Sequence, residues 1–215
     1  MEGSSTMTVW EVLYMYFVAR QAYDRFISVC GNPEQARNAM ALLVWLDQGT
    51  ISAIHHVPGV DAGADIVVRG VAQFLDGAGK FVFDDRLQVL LRKSESGLVG
   101  NPPEHMAPYS PLPVDVPEDC RSIFITFSKG MPLLREEIFD YFRQKWGECV
   151  VRVLMEKTTG GSMPMYGRII FKTEAVVQLV LNGERLIKIS IDQRQIWLRK
   201  YVPKPTNAAD SSIHP

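Results

Sequence analysis

Residues 165–172 read MYGRIIFK, and this stretch decides which fold the sequence favours. Its residues suit a β-strand, in which successive side chains point to opposite faces of a sheet. Tyr166, Arg168 and Lys172 then share one face, together with the intervening isoleucine. Phe171 falls on the other face, where we expect it to be part of the hydrophobic core. The stretch therefore predicts a strand that presents an aromatic ring and two cations on one side.

A second strand precedes it at residues 122–127, which read SIFITF. Phe124 and Thr126 alternate there with two isoleucines and a second phenylalanine. Alternation of this kind predicts a strand with one face directed to the core. The second strand therefore offers another ring, that of Phe124, for the face opposite the core.

The surrounding residues, 120–205, complete an ordered set of strands and helices. The predicted strands are 121–127, 149–156, 166–172, 186–191 and 195–201, and the predicted helices are 133–146 and 174–181. This order is β-α-β-β-α-β with an extra strand before the last. It is the order of the ferredoxin-like split βαβ fold, in which antiparallel strands carry two helices on one face.

The preceding part of the chain has helical rather than strand periodicity. Apolar residues recur every three or four positions within residues 9–29, 36–47, 62–74 and 81–92, which predicts an all-helical bundle over residues 1–92. Residues 81–83 are equally compatible with a short strand. Gly31 is placed to end the first helix, and the Asn and Pro that follow it are placed to start the second. The sequence as a whole thus predicts the α+β class.

Two segments are expected to lie outside these domains. Residues 93–119 contain several prolines, which oppose helices and central strands and favour an extended linker. Residues 206–215 are small and polar, and we expect a disordered tail there.

The charges divide unevenly between the two halves of the chain. Residues 1–117 hold 8 Lys and Arg against 13 Asp and Glu, whereas residues 118–205 hold 15 against 10, within a net charge of −1. The basic half is therefore the candidate for a polyanionic partner, although an excess of this size is also common on ordinary surfaces. The apolar runs are too short for a membrane helix, and no secretory signal is evident, so we expect an intracellular protein, nuclear or cytoplasmic.

Motifs for metal binding and catalysis are missing from the sequence. Cys30, Cys120 and Cys149 are widely spaced, and the four histidines have no ligand spacing, so neither a disulfide framework nor a metal site is predicted. We found no phosphate-binding glycine loop, no nucleophile motif and no cluster of His and Cys. We therefore expect no enzyme activity, no metal and no cofactor.

The two central strands resemble the paired signature strands of the RNA recognition motif (RRM) family, in which aromatic residues stack on nucleotide bases. Phe124 matches the stacking aromatic of the shorter box. Tyr166 matches the first aromatic of the longer box, and Gly167 matches the small residue after it. Arg168 stands where that box usually has its second stacking aromatic, and residues 164–165 lack its opening Lys/Arg-Gly. The whole layout resembles plant RRM proteins with an N-terminal helical region.

The resemblance implies that the sheet binds single-stranded RNA through Phe124, Tyr166 and Arg168. The further cations expected to meet the RNA backbone are Lys129, Arg152, Lys172, Arg199 and Lys200. In the alternative interpretation Arg168 pairs with a carboxylate such as Glu156. The domain is then an RRM-like module for protein interaction with little or no RNA binding. In both interpretations the helical domain is an accessory region for a protein partner or for self-association.

Overall fold

The computed structural model describes residues 6–50, 60–110, 116–128 and 131–203. Helices come first in the chain and an antiparallel sheet follows, so the predicted α+β class is confirmed. The first part contains α1 (Val9–Met15), α2 (Phe17–Cys30), α3 (Pro33–Trp45), a π-helical turn (Leu46–Thr50), α4 (Val60–Asp76), α5 (Gly79–Val82), α6 (Asp85–Glu95) and α7 (Pro103–Met106). The second part contains β1 (Ser122–Phe127), α8 (Arg135–Trp146), β2 (Val150–Met155), β3 (Tyr166–Phe171), α9 (Glu174–Leu181), β4 (Ile187–Ile191) and β5 (Arg194–Lys200).

The boundary between α2 and α3 follows directly from local sequence. Gly31 ends α2 in the left-handed conformation, with φ of 68°, which glycine adopts without steric cost. The side chain of Asn32 accepts hydrogen bonds from the backbone N–H groups of Glu34 and Gln35, and Pro33 occupies the first helical turn. The predicted end of one helix and start of the next are confirmed here.

The prediction of one continuous helix over residues 9–29 is wrong. Tyr16 leaves the helical conformation, with φ of −103° and ψ of 21°, and separates α1 from α2. The two helices have different neighbours, because α1 packs against α5 and α7 whereas α2 packs mainly against α3. Tertiary packing thus divides a segment whose periodicity is continuous.

The proline-rich segment is folded over part of its length. Residues 103–106 form α7, because proline is tolerated in the first turn of a helix. The backbone N–H of Val9 donates to the carbonyl of Ala107 at 3.0 Å, and His105 is fully buried. A wholly extended linker is therefore the wrong description of these residues. The predicted tail, 206–215, lies outside the described residues.

The sheet has the strand order β2-β3-β1-β5-β4, and all neighbours are antiparallel. The predicted strands agree with the structure to within about two residues. Asp192 and Gln193 join β4 to β5 with φ values of 45° and 65°, which is the conformation expected at both central residues of a tight hairpin. The extra strand is thus the outer strand of a hairpin at one edge of the sheet.

The face of the sheet that packs against α8 and α9 is here called the inner face. Its fully buried side chains are Ile123, Ile125, Ile169, Phe171, Ile196 and Leu198. The core position predicted for Phe171 is confirmed. Its ring packs edge-to-face on the ring of Phe142 of α8, with 5.4 Å between the two centroids. Gly167 also lies on this face, where an added Cβ would stand 2.8 Å from the carbonyl oxygen of Leu154. A glycine is therefore required at that position.

The N-terminal helices form a further layer behind α8 and α9. Helix α4 packs against both of them, and one continuous hydrophobic core extends from the N-terminal helices to the inner face. Asn38 of α3 donates from Nδ2 to the carbonyl of Gln178 at 3.3 Å and to Oδ1 of Asn182 at 3.0 Å. Helices α3 and α4 thus lie on the same side of the sheet as α8 and α9. Within the described ranges, no helix has both the length and the apolar character needed to span a bilayer.

Candidate nucleic-acid interface

The opposite face of the sheet, here called the outer face, carries two rows of side chains across neighbouring strands. In the first, the Phe124 row, Phe124 of β1 lies opposite Arg168 of β3 and Arg199 of β5. In the second, the Trp197 row, Thr126 of β1 lies between Tyr166 of β3 and Trp197 of β5, and Lys188 of β4 follows Trp197. Antiparallel register thus brings rings and cations from four strands onto one surface.

Two of the predicted stacking residues form a ring pair. The rings of Phe124 and Tyr166 lie with centroids 5.6 Å apart and planes inclined by 26°. Tyr166 is 43% exposed, and Phe124 is half-buried. The guanidinium carbon of Arg199 stands 4.5 Å from the centroid of the Phe124 ring, a cation–π distance. The Tyr166 ring is therefore open to solvent on the outer face, with the half-buried Phe124 ring and the Arg199 guanidinium beside it.

Arg168 is bound by the chain's own residues. Its guanidinium lies 3.8 Å from the ring centroid of Tyr201 and 2.6 Å from the carboxylate of Asp119, and its side chain is only 18% exposed. The ion pair expected in the alternative interpretation is thus present, but its carboxylate is that of Asp119 rather than the suggested Glu156. A carboxylate oxygen of Glu156 instead accepts a hydrogen bond from the backbone N–H of Met165 at 2.7 Å.

Residues 116–121, here called the covering segment, run over one end of the outer face. Glu118 forms a 2.6 Å ion pair with Arg152 of β2, and the neighbouring Asp119 forms the ion pair with Arg168. Arg121 donates to the carbonyl of Phe171 at 2.6 Å and fixes the segment to the end of β3. Alternation assigns Ile170 to the outer face, yet it is fully buried. Part of the outer face is therefore covered, and its two arginines on β2 and β3 are neutralised.

The remaining predicted cations are placed differently. Lys172 is exposed just beyond the end of β3, away from the ring pair. Lys200 is the cross-strand partner of Ile123, so it lies on the inner side, where it forms a 3.0 Å ion pair with Glu174 of α9. Lys129 lies outside the described residues. The structure thus brings Phe124, Tyr166, Arg168, Arg152 and Arg199 together and leaves Lys172 and Lys200 apart from them.

Sequence reasoning missed two members of the outer face, Trp197 and Lys188. Trp197 is 40% exposed, and the Lys188 ammonium stands 5.2 Å from its ring centroid. The spacing along β5 could have identified Trp197 from the sequence, because Trp197 is two residues from Arg199 and therefore shares its face. Placing Lys188 beside it required the register of the hairpin.

The hairpin that carries Trp197 is fixed to α8 at its turn. Arg194 donates to the Glu137 carboxylate and, at 3.1 Å, to the carbonyl of Pro132. The hydrogen bond from Arg194 holds the pKa of the Glu137 carboxyl below its ordinary value. This ion pair therefore stabilises the position of β5 relative to the rest of the sheet.

Comparisons with known proteins give no relative from which to infer the role of this surface. No family model matches the chain, and neither the curated proteins nor the solved structures include a match. The functional argument therefore depends on the geometry of the outer face.

Proposed function

We propose that the protein binds single-stranded RNA on the outer face, and that residues 120–205 form a ferredoxin-like domain of the RRM type. The strand order β2-β3-β1-β5, with two helices on the inner face, supports this assignment. Strand β4 is then an addition at the edge next to β5.

The observation that carries the proposal is the ring pair of the half-buried Phe124 and the exposed Tyr166, with Arg199 beside it. Aromatic rings on an exposed sheet stack on unpaired bases, and each such contact contributes about 1–3 kcal/mol. A guanidinium next to the rings can meet a backbone phosphate. Paired bases in a duplex do not offer their faces, so the surface favours single strands.

The direct test compares wild-type protein with the Phe124→Ala/Tyr166→Ala variant. Binding of a labelled oligouridylate of about ten nucleotides is measured by fluorescence anisotropy at low salt. We expect the variant to bind at least about tenfold more weakly, since two stacking contacts are lost. Phe26→Ala is the matched control, because it removes an exposed ring (37% exposed) from α2 rather than from the sheet.

Wild-type affinity in the double variant, with an unchanged thermal unfolding curve, would contradict the proposal. Equal weakening in the Phe26→Ala control would also count against it. In that case ring loss acts through a property of the whole molecule rather than through the outer face.

A second function is favoured by a separate observation, the pairing of Glu118 with Arg152 and of Asp119 with Arg168. An RNA-binding surface gains from free cations, whereas these two are neutralised within the chain. The second proposal is therefore a protein-interaction module whose outer face receives a peptide or another domain. Its discriminating result is the absence of RNA binding at low salt by wild-type protein.

The N-terminal helices offer a candidate surface for a protein partner or for self-association. Tyr14, Met15 and Val18 are exposed apolar residues close together in sequence on α1 and α2. Sedimentation equilibrium distinguishes the two cases, since self-association raises the measured mass with concentration. A Tyr14→Ser/Val18→Ser variant should lose that dependence.

A further inference from the structure

The β4–β5 hairpin adds a second ring and cation to the outer face, next to the Phe124–Tyr166 pair. The ring is Trp197 of β5, and the cation is Lys188 of β4, 5.2 Å from the ring centroid. The two residues are direct cross-strand partners. Both are exposed, so the Trp197 ring and the Lys188 ammonium can each reach a ligand.

We propose that Trp197 and Lys188 form a subsite for an additional nucleotide of single-stranded RNA. The base stacks on the indole, and Lys188 and Arg199 contact the phosphates on either side. This inference rests on the proposed function, because it extends the same bound strand from the ring pair toward the hairpin. It assigns the extra strand β4 a role in RNA binding.

The charges on the outer face favour this direction for the bound strand. On β2 and β3, Arg152 and Arg168 are held at 2.6 Å by carboxylates of the covering segment. On β4 and β5, Lys188 and Arg199 form no ion pair with any described residue. Among the cations that the described strands themselves place on the outer face, the two without an ion pair therefore lie on the hairpin side of the rings.

The spacing of the strands also suits a continuous path. Neighbouring strands are about 4.8 Å apart, so Trp197 lies two spacings, or about 10 Å, from Tyr166. Phe124 lies on the strand between them, in the adjacent row. A single strand that stacks on Tyr166 and Phe124 thus needs only to continue across β1 to reach Trp197.

Tryptophan fluorescence gives the first test, because Trp197 is the most exposed of the four tryptophans. Trp45 is buried, and Trp10 and Trp146 are half-buried. Saturating wild-type protein with the oligouridylate of about ten nucleotides should quench its emission, since a stacked base quenches indole fluorescence. The Trp197→Phe variant retains a ring for stacking, so it should bind with similar affinity and lose the quenching.

Affinity measurements give the second test. Trp197→Ala should weaken binding of the same RNA by about tenfold, the effect of one lost stacking contact. Lys188→Gln should weaken it less and should lower the slope of log affinity against log salt by about 0.7, as expected for one phosphate contact to a single strand. Lys145→Gln is the matched control, because the Lys145 ammonium of α8 lies 5.7 Å from the Tyr141 ring centroid but on the opposite side of the sheet.

The outcomes separate this inference from the proposed function. If Phe124→Ala weakens binding while Trp197→Ala and Lys188→Gln bind like wild type, the hairpin subsite is wrong and the ring-pair site stands. If none of the three changes affects affinity, both the hairpin subsite and the proposed RNA-binding function are wrong. Should Trp197→Ala fail to fold, the quenching of wild-type protein and the salt slope of Lys188→Gln decide the question. An unchanged salt slope together with no quenching would overturn the subsite.

Discussion

The two faces of the sheet are made from the same strands, yet they differ in what covers them. On β3, Ile169 is fully buried beneath α8 and α9, whereas Tyr166, three residues earlier, remains exposed. The inner face is covered by whole helices and the layer behind them, whereas among the described residues the outer face is covered at one end by residues 116–121 and by Tyr201. Alternation decides which residues share a face, but distant segments of the chain decide which face is left for a ligand.

The sharpest test of this comparison is to shorten one residue on each face of β3. Ile169→Ala should lower the free energy of unfolding by about 2–5 kcal/mol, because it removes buried methyl groups and leaves a cavity. Tyr166→Ala should cost about 1 kcal/mol or less, since its side chain is exposed. Urea unfolding followed by circular dichroism measures both. Similar losses for the two variants would show that the outer face is part of the core.

The next largest effect concerns the layer of helices that lies behind the inner face. Asn38→Ala should destabilise the protein by about 1–3 kcal/mol, because the carbonyl of Gln178 and Oδ1 of Asn182 lose a buried partner. Gln35→Ala is the control, since the side chain of Gln35 donates an exposed 3.4 Å hydrogen bond to Glu184, which follows α9. If urea unfolding gives both variants the same stability as wild type, the hydrogen bonds of Asn38 contribute little to holding α3 against α9.

A smaller effect is expected where the covering segment meets the outer face. Asp119→Asn should raise RNA affinity by about two- to fivefold, because it frees Arg168 from an ion pair that is only partly exposed. The slope of affinity against salt should steepen at the same time, since one more cation becomes available. Asp140→Asn on α8 removes the same charge from an exposed position and should change affinity less. If Asp119→Asn binds RNA more weakly than wild type, the role of Asp119 is instead to hold Arg168 in position for RNA.

The smallest effect is a pH dependence at the hairpin turn. The pKa of Glu137 is lowered from its ordinary value of 4.5 by its hydrogen bond from Arg194, so the folded state binds the Glu137 proton less readily than the unfolded chain. The resulting stability is present above about pH 4.5 and is lost as the pH falls through the lower pKa of the folded state. Glu137→Gln should therefore be less stable than wild type at pH 7, and the difference should shrink in acid. A difference that is constant between pH 7 and pH 3, measured by urea unfolding, would contradict this.

Local chemistry allowed much of the fold to be predicted from the sequence. Gly31 and Asn32 mark a helix boundary because their backbone and side-chain preferences act within a few residues. The strands containing Phe124 and Tyr166 follow from alternation, and the buried position of Phe171 follows from the same rule. Each of these inferences needs only neighbours in the sequence.

The features that the sequence did not predict depend on contacts between distant segments. The break at Tyr16 reflects the different neighbours of α1 and α2. The ion pair of Arg168 is made with Asp119, 49 residues away, rather than with the nearer Glu156. Trp197 shares the face of Arg199, but its place beside Lys188 depends on the hairpin register. Such pairings are set by tertiary structure, and no local pattern in one sequence specifies them.

The most direct test of the central claim is an NMR titration of the labelled protein with a single-stranded oligouridylate of about ten nucleotides. If the outer face binds RNA, the largest shift changes should occur at the amides of Phe124, Tyr166 and Arg199 and at the indole N–H of Trp197. The amides of α8 should shift little, because that helix covers the inner face. Shift changes concentrated on the N-terminal helices or on α8, with the outer face unaffected, would contradict the account.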